Sequence, residues 1–336
     1  MILSRQNCRG VVDVRRHHDS SVSRFEDLPL SSTIESMMIM ASSPAQNSDL
    51  DFQDWISRSE TAEDVASFSA MQNLQAILEV PTTDADNLFP LGHWLHFTPT
   101  AGMSELGEDG HPKLGGFLPP FPFPRRMWVG SRIAYHAPIS LGERITKTTT
   151  IESITPKSGR GGELIFLGLR HDIRTGDALA LTEHQTIVYR EAVPVDPDNP
   201  QGPKPPRESA PPEGDWEWTS KIQPNEVTLF RYSAVTFNSH RIHYDLPYAT
   251  AVEGYPGLVV HGPLSATNIM AHFQQQRDYP SIESFEFTAR SPLFANEAAY
   301  VCGQHVDETD GLLTEKLALI GPDNTTAVEA TIQYRK

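Results

Sequence analysis

The chain has 336 residues, 38% of them hydrophobic and 21% charged, which is enough for two ordinary domains and a core that needs no disulfides. Lys and Arg number 27 against 43 Asp and Glu, and the resulting net charge of −16 disfavours binding along nucleic-acid phosphates or an anionic membrane. With only Cys8 and Cys302, a disulfide framework and a cysteine-rich zinc site are excluded, and no apolar run reaches the ~20 residues of a membrane-spanning helix.

Residues 1–60 read as a disordered or targeting tail. Arg5, Arg9, Arg15 and Arg16 against Asp13 resemble an organelle-targeting leader, Asp19, Glu26 and Asp27 spoil its acid-poor pattern, and Met40–Ala41 offers another start. The compartment expected is a reducing one, the cytoplasm, with the mitochondrial matrix as the alternative. A first unit spans 61–190. Apolar spacing predicts a helix over Ala66–Val80, stopped by Pro81, and then a loop from Leu91 to Pro124. Strands are expected over Met127–Tyr135, Arg144–Ile154, Glu163–Ile173 and Ala178–Tyr189, and their short connections imply an antiparallel sheet. The proline-dense stretch 191–214 excludes a helix or central strand and reads as an extended linker.

The second unit, 215–336, repeats the texture. A buried helix is expected over Leu258–Gln275, followed by strands over Ser284–Arg290, Ala298–His305, Leu313–Ile320 and Ala327–Tyr334. Pro138 and Glu143 recur as Pro292 and Glu297, at a constant offset of 154 residues. The fold class expected is α+β, two copies of a helix wrapped by a curved antiparallel sheet.

Reactive side chains concentrate in one region. Asn238, His240, His243, Tyr244 and Asp245 crowd a turn-prone segment, and Gly257, Gly262 and Pro263 follow at the start of the buried helix. A helix N-terminus offers unpaired N–H groups to a carbonyl oxygen that gains negative charge. An imidazole acid/base opposite such an end suits chemistry α,β to a thioester carbonyl. A metal held by His240, His243 and Asp245 with His261 is the weaker reading, and no metal or cofactor is expected. Phe230 and Tyr232 read as core. Arg231 and Arg241 read as solvated unless one meets an anion.

The segment F-N-S-H-R-I-H-Y-D over 237–245 resembles the hydratase motif of the MaoC-like hot-dog family, roughly S-G-D-x-N-P-[ILV]-H. In that resemblance Asn238 stands at the catalytic Asp, His240 at the Asn, Arg241 at the Pro and His243 at the catalytic His. The run E-G-Y-P-G-L-V-V-H-G-P over 253–263 looks like the start of the family's central helix, with Gly262 supplying an oxyanion N–H. The resemblance covers roughly Thr61 to Lys336. It is greatest to the branch of mesaconyl-C4-CoA, itaconyl-CoA and mitochondrial 3-hydroxyacyl-thioester enzymes.

It implies a double hot dog with one site, in the second unit, and a hydro-lyase acting on an enoyl-CoA, preferably a short dicarboxylic one. A 3-hydroxyacyl-[acyl carrier protein] dehydratase and a non-catalytic acyl-CoA-binding module are the alternatives. The expected catalytic residues are Asn238, His243 and Gly262, with His240, Arg241, Tyr244 and His261 on the substrate. Asn cannot act as a base, so His243 carries the proton, Asn238 orients the water, and Asp245 could hold the imidazole tautomer. The expected partners are an acyl-CoA or acyl carrier protein and a second copy of the chain, with no nucleic acid and no membrane.

Overall fold

The structure, a computed structural model, describes residues 51–79, 86–159, 162–192 and 202–336. The basic leader, Pro81 and the linker prolines 194, 197 and 200 lie outside these residues. Regular structure is present before Thr61. A 3-10 turn covers Gln53–Trp55, and the first strand starts at Ser59. No helix among the described residues is long and apolar enough to cross a membrane.

The first half runs β1 (Ser59–Val65), α1 (Phe68–Leu78), β2 (Arg125–Tyr135), β3 (Arg144–Gly159), β4 (Gly162–Thr175) and β5 (Ala178–Arg190). The second runs β6 (Trp218–Ile222), α2 (Glu226–Thr236), α3 (Gly262–Gln276), β7 (Ser281–Ala289), β8 (Ala299–Thr309), β9 (Leu312–Ile320) and β10 (Thr326–Arg335). The described strands form one ten-stranded sheet in the order β1-β3-β4-β5-β2-β7-β10-β9-β8-β6. Read from its centre outward, each side repeats the other, and every pairing is antiparallel. This is the expected pair of joined sheets. Its strands are longer than read from sequence; β3, expected to end at Ile154, runs on because polar residues such as Thr155, Lys157 and Ser158 continue the ladder.

The 154-residue echo is a conserved turn geometry within the chain. His136 N–H and Ala137 N–H both donate to Ala180 O, at 2.8 and 3.1 Å, while Arg290 N–H and Ser291 N–H both donate to Ala327 O, at 2.8 and 3.3 Å. Glu143 and Glu297 each turn their carboxylate back onto the N–H three residues earlier, Ser140 and Phe294, at 3.3 Å in both copies. A carboxylate is retained there because it closes the turn before the long strand begins.

The two halves differ beyond the short segments that meet these turns. Leu88 N–H bonds Ile139 O and Val260 N–H bonds Leu293 O, which makes Leu88 and Val260 equivalent. After Val260 the chain enters the 15-residue α3; after Leu88 it makes two short 3-10 turns, Gly92–Leu95 and Met103–Glu105, and otherwise runs as a loop to Pro124. The helix expected from Leu258 starts at Gly262 because Val259 bridges Phe294 in extended form. Pro263 sits in the first turn, where its missing N–H costs nothing. α3 is buried nearly all round, and Ile269, Met270 and Phe273 join Phe285, Phe287 and Leu317 in the main core.

α2 and β6 were not anticipated. Asn225 caps α2, accepting Thr228 N–H at 3.0 Å. On α2, Tyr232 is core as expected, but Phe230 is 66% exposed. The described part of the linker from 202 onward is anchored, since Arg207 pairs with Glu297 at 2.7 Å and Lys204 N–H bonds Pro256 O at 2.8 Å.

The seam between β2 and β7 depends on one glycine. Gly130 lies at a bulge and faces Thr288, and a Cβ built there would fall on the Phe287 carbonyl, far inside van der Waals contact. Gly130→Ala should therefore destabilise the protein by about 3 kcal/mol, since backbone cannot yield as a side-chain tip does. Urea unfolding should report it as a lowered midpoint at unchanged slope.

Candidate active site

α2 ends with Phe237 in a left-handed conformation (φ 50°), and Asn238 N–H closes the helix end on Ser233 O at 2.9 Å. The Asn238 side chain then accepts the N–H of His240 at 3.0 Å. Its carbonyl oxygen is thus engaged by its own loop, and its amide nitrogen remains to donate. Arg241–His243 form a short 3-10 turn that buries the imidazole of His243. Its Nδ1 lies 2.7 Å from Val259 O. A carbonyl only accepts, so Nδ1 carries the hydrogen and Nε2 presents a lone pair. The expectation that Asp245 holds this tautomer is overturned. Asp245 instead takes two bonds from Arg241, at 2.7 and 2.9 Å, and caps the next turn through Tyr248 N–H.

Four imidazoles form a row. Ring centroids are 4.2 Å apart for His111 and His240, 5.4 Å for His240 and His243, and 3.6 Å for the stacked pair His243 and His261. His261 is 1% exposed and its Nε2 lies 2.9 Å from Ser233 Oγ, so it lies behind His243 rather than on a surface a substrate meets. Burial lowers every one of these pKa values. It brings His243 to about 4 against the opposing bond to Val259 O. Burial and the nearby Arg126 guanidinium bring His111 to about 4. His240 is lowered by burial and by His111 and His243, and His261 falls well below its ordinary value for like reasons. All four are therefore neutral near pH 7, and an uncharged imidazole can accept a proton.

Gly262 opens α3 directly after His261. Its N–H lies in the first turn, where the helix has no internal acceptor for it. Space exists beside it, since a built Cβ would be 3.9 Å from Trp128 O. Tyr244 is half exposed and donates to Ser239 O at 3.1 Å. Arg241 is committed to Asp245 and to Glu108 O at 3.0 Å, and its guanidinium lies 4.1 Å over the Tyr248 ring. It is not available for an anion. Arg231 is exposed on α2.

Asn238, Tyr244, Phe230 and Phe237 line an apolar cavity of about 350 Å³, whose opposite wall is Leu106 and Pro112 from the first half. Sequence reasoning missed that wall. It also missed Asp109 and His111, which stand in the loop between Leu106 and Pro112. Asp109 accepts His111 N–H on Oδ1 at 3.0 Å, and its Oδ2 lies 2.7 Å from His111 Nδ1. Burial works to raise the Asp109 pKa, but the bond and charge of His111 outweigh it and hold the carboxyl well below the usual carboxylate range. Among the described residues Asp109, His111 and His240 are the grouping with donor atoms close enough, within 4.8 Å, for a metal ion. Both Asp109 oxygens are occupied by His111, which fits a fixed carboxylate–imidazole dyad better than a ligand set.

A family model described as hydroxyacyl-thioester dehydratase type 2 matches residues 91–295. The chain is 41% identical over 295 residues to the mesaconyl-C(4)-CoA hydratase of Chloroflexus aurantiacus, covering 85% of this chain and 99% of that one. It is 30% identical over 259 residues to the mitochondrial hydroxyacyl-thioester dehydratase type 2 of Schizosaccharomyces pombe, covering 68% of this chain and 81% of that one. A Mycobacterium tuberculosis protein with a double hot-dog fold superposes with a TM-score of 0.54 at 12% identity, covering 86% of this chain and 97% of that one.

Proposed function

Because the chain belongs to the hydroxyacyl-thioester dehydratase type 2 family and has the double hot-dog fold, we propose that it adds water reversibly to an enoyl-CoA, a short dicarboxylic one of the mesaconyl-C4 kind. The observation that carries this reading is the His243 imidazole, whose Nδ1 hydrogen is spent on Val259 O, whose ring stacks on His261 at the start of α3, and whose Nε2 is thus a neutral base.

In the hydration direction, Nε2 takes a proton from water as the water oxygen bonds to the β-carbon. The C=C electron pair moves into the thioester, and the enolate oxygen is stabilised by the Gly262 N–H and the helix end. The His243 imidazolium then returns its proton to the α-carbon. Asn238 orients the water through its amide. A module that only binds acyl-CoA needs neither a basic nitrogen with a fixed tautomer nor an oxyanion cradle. The fungal relative supports a second reading, dehydration of a 3-hydroxyacyl thioester, which is the same chemistry reversed. That relative is a mitochondrial protein, which supports the mitochondrion over the cytoplasm for this chain. Incubating the protein with a panel of enoyl- and 3-hydroxyacyl-CoAs and reading gain or loss of water by mass spectrometry decides among these.

The free carboxylate of a dicarboxylic substrate needs a cation, and with Arg241 committed, Arg126 is the better candidate. It is half-buried on β2 opposite Tyr189, and its charge reaches His111 and His240. Arg126→Met should lower kcat/KM for mesaconyl-C4-CoA by about 10²-fold, the scale of a charge-assisted pair, while changing crotonyl-CoA turnover severalfold at most. Equal losses on both substrates would remove Arg126 from this role.

A further inference from the structure

We propose that His111, clamped by Asp109, is a second acceptor for the reacting water, brought from the first half of the chain to stand in for the carboxylate that Asn238 replaces. The proposal rests on the hydratase reading above.

Asn238 offers the water a donor, and one lone pair of its oxygen already accepts the His240 N–H. Within the motif, His243 is the imidazole whose tautomer is fixed, by Val259 O, so its Nε2 is a defined acceptor for one of the water's two hydrogens. His111 supplies the other. Its Nδ1 hydrogen is fixed on Asp109 Oδ2, which leaves Nε2 as a lone pair. Its ring lies 4.2 Å from that of His240, on the same loop as Asn238 and His243, and the next residue, Pro112, lines the cavity that Asn238 also lines.

The approach of the two loops is built in. Arg241 N–H donates to Asp109 O at 2.9 Å, Arg241 Nη1 to Glu108 O at 3.0 Å and Ser239 Oγ to Gly110 O at 2.5 Å. Gly110 has φ +90°, and a built Cβ would fall on Ser239 O. Only a glycine lets the backbones meet this closely. Four successive residues, from Glu108 to His111, are thus committed to the loop that carries His243, and none of these contacts is needed to close the sheet. In the hydration step, one water hydrogen passes to His243 Nε2, while the other stays on the oxygen and is hydrogen-bonded to His111 Nε2. The oxygen lone pair is thereby aimed at the β-carbon, and no further reactant is required.

Asp109→Asn is the sharp test. An aspartate can accept from both the His111 N–H and Nδ1–H. An asparagine has one acceptor oxygen and an NH₂ group, so if its oxygen keeps the backbone bond, the ring must accept at Nδ1 and carry its hydrogen on Nε2. That wrong tautomer deprives the water of its acceptor, as when an orienting carboxylate is lost from a catalytic triad.

We expect Asp109→Asn and His111→Ala each to lower kcat by about 10²-fold on an enoyl-CoA that the wild type hydrates, with KM within a few-fold. Added imidazole should restore part of the His111→Ala rate, in proportion to its free-base form. Should His111→Ala fail to fold, His111→Leu, which fills much of the ring's space and has no acceptor, should show the same loss. Wild-type kcat in Asp109→Asn or in the foldable His111 variant, or no response of His111→Ala to imidazole, would overturn the proposal. Wild-type activity abolished by a chelator would also overturn it, by making the cluster a metal site. A wild type inactive on every enoyl-CoA would remove the hydratase reading and this proposal together.

Discussion

Replacing His243 with alanine should lower kcat by about 10²-fold or more, the usual worth of a positioned general base, while the protein stays folded. The residue is buried and held by one bond to Val259 O and by a stack on His261, so truncation also costs some stability. His243→Gln separates the two effects. Its amide can still donate to Val259 O, but it has no basic nitrogen, so it should be more stable than the alanine variant and equally inactive. Near-normal turnover in the glutamine variant would make His243 a structural residue. In the wild type, the acidic limb of kcat/KM should lie near pH 4 rather than near the ordinary histidine value, because burial holds His243 neutral to that point.

The same burial should make the protein lose stability steeply between about pH 6.5 and pH 4. The unfolded chain takes up protons on its histidines below their ordinary pKa, whereas His111 and His243 refuse them until about pH 4. The unfolded state then binds more protons, and stability falls as pH falls. Each such imidazole costs about 3 kcal/mol across that window, so two cost on the order of 6 kcal/mol, comparable to the whole stability of an ordinary domain.

The charged groups near these rings do not cancel the effect. Asp109 and Arg126 act on His111 in opposite senses, and His243 meets His240 and His261, which are themselves lowered. Glu183, held at about 2 against the cost of burial by its bonds to His93 and Ser131, adds a separate loss only below the ordinary carboxylate range. Urea titrations from pH 7 to pH 4.5 should show a falling midpoint, with a shallower fall in His243→Ala. A flat profile would mean that the imidazole row is open to water.

The long strands, α3 and the turn echo were legible because they obey local rules: alternation, a proline-glycine helix start, and a carboxylate closing a turn. α2 was not, for a reason tied to the site. Val227, Phe230 and Phe237 are exposed, and the last two line the cavity, so the apolar spacing that marks a helix is blurred by residues facing a void instead of the core. β6 has five residues and only partial burial, too short for alternation to register. The true partner of His243 is a backbone carbonyl, which no side-chain pattern announces. Asp109 and His111 carry a local signal, a carboxylate two residues before an imidazole around a glycine. Their meaning depends on the contact of the intervening Gly110 with Ser239, 129 residues away, and that separation is closed by the joined sheets.

The single turn at Gly92–Leu95, where the other half grows a full helix, has a consequence for how this protein can diversify. A helix threaded through a sheet is constrained by every side chain around it. The freed stretch that follows the turn is not. It supplies one wall of the cavity through Leu106 and Pro112 while adding no strand to the ladder. Substitutions on this wall can reshape the space offered to a ligand at little expense to folding, as with variable loops on a rigid scaffold. The duplicated half has in effect become an adjustable jaw closing on a fixed one, and descendants of this chain can change diet by altering the loop between Leu95 and Arg125 while the ten strands stay as they are.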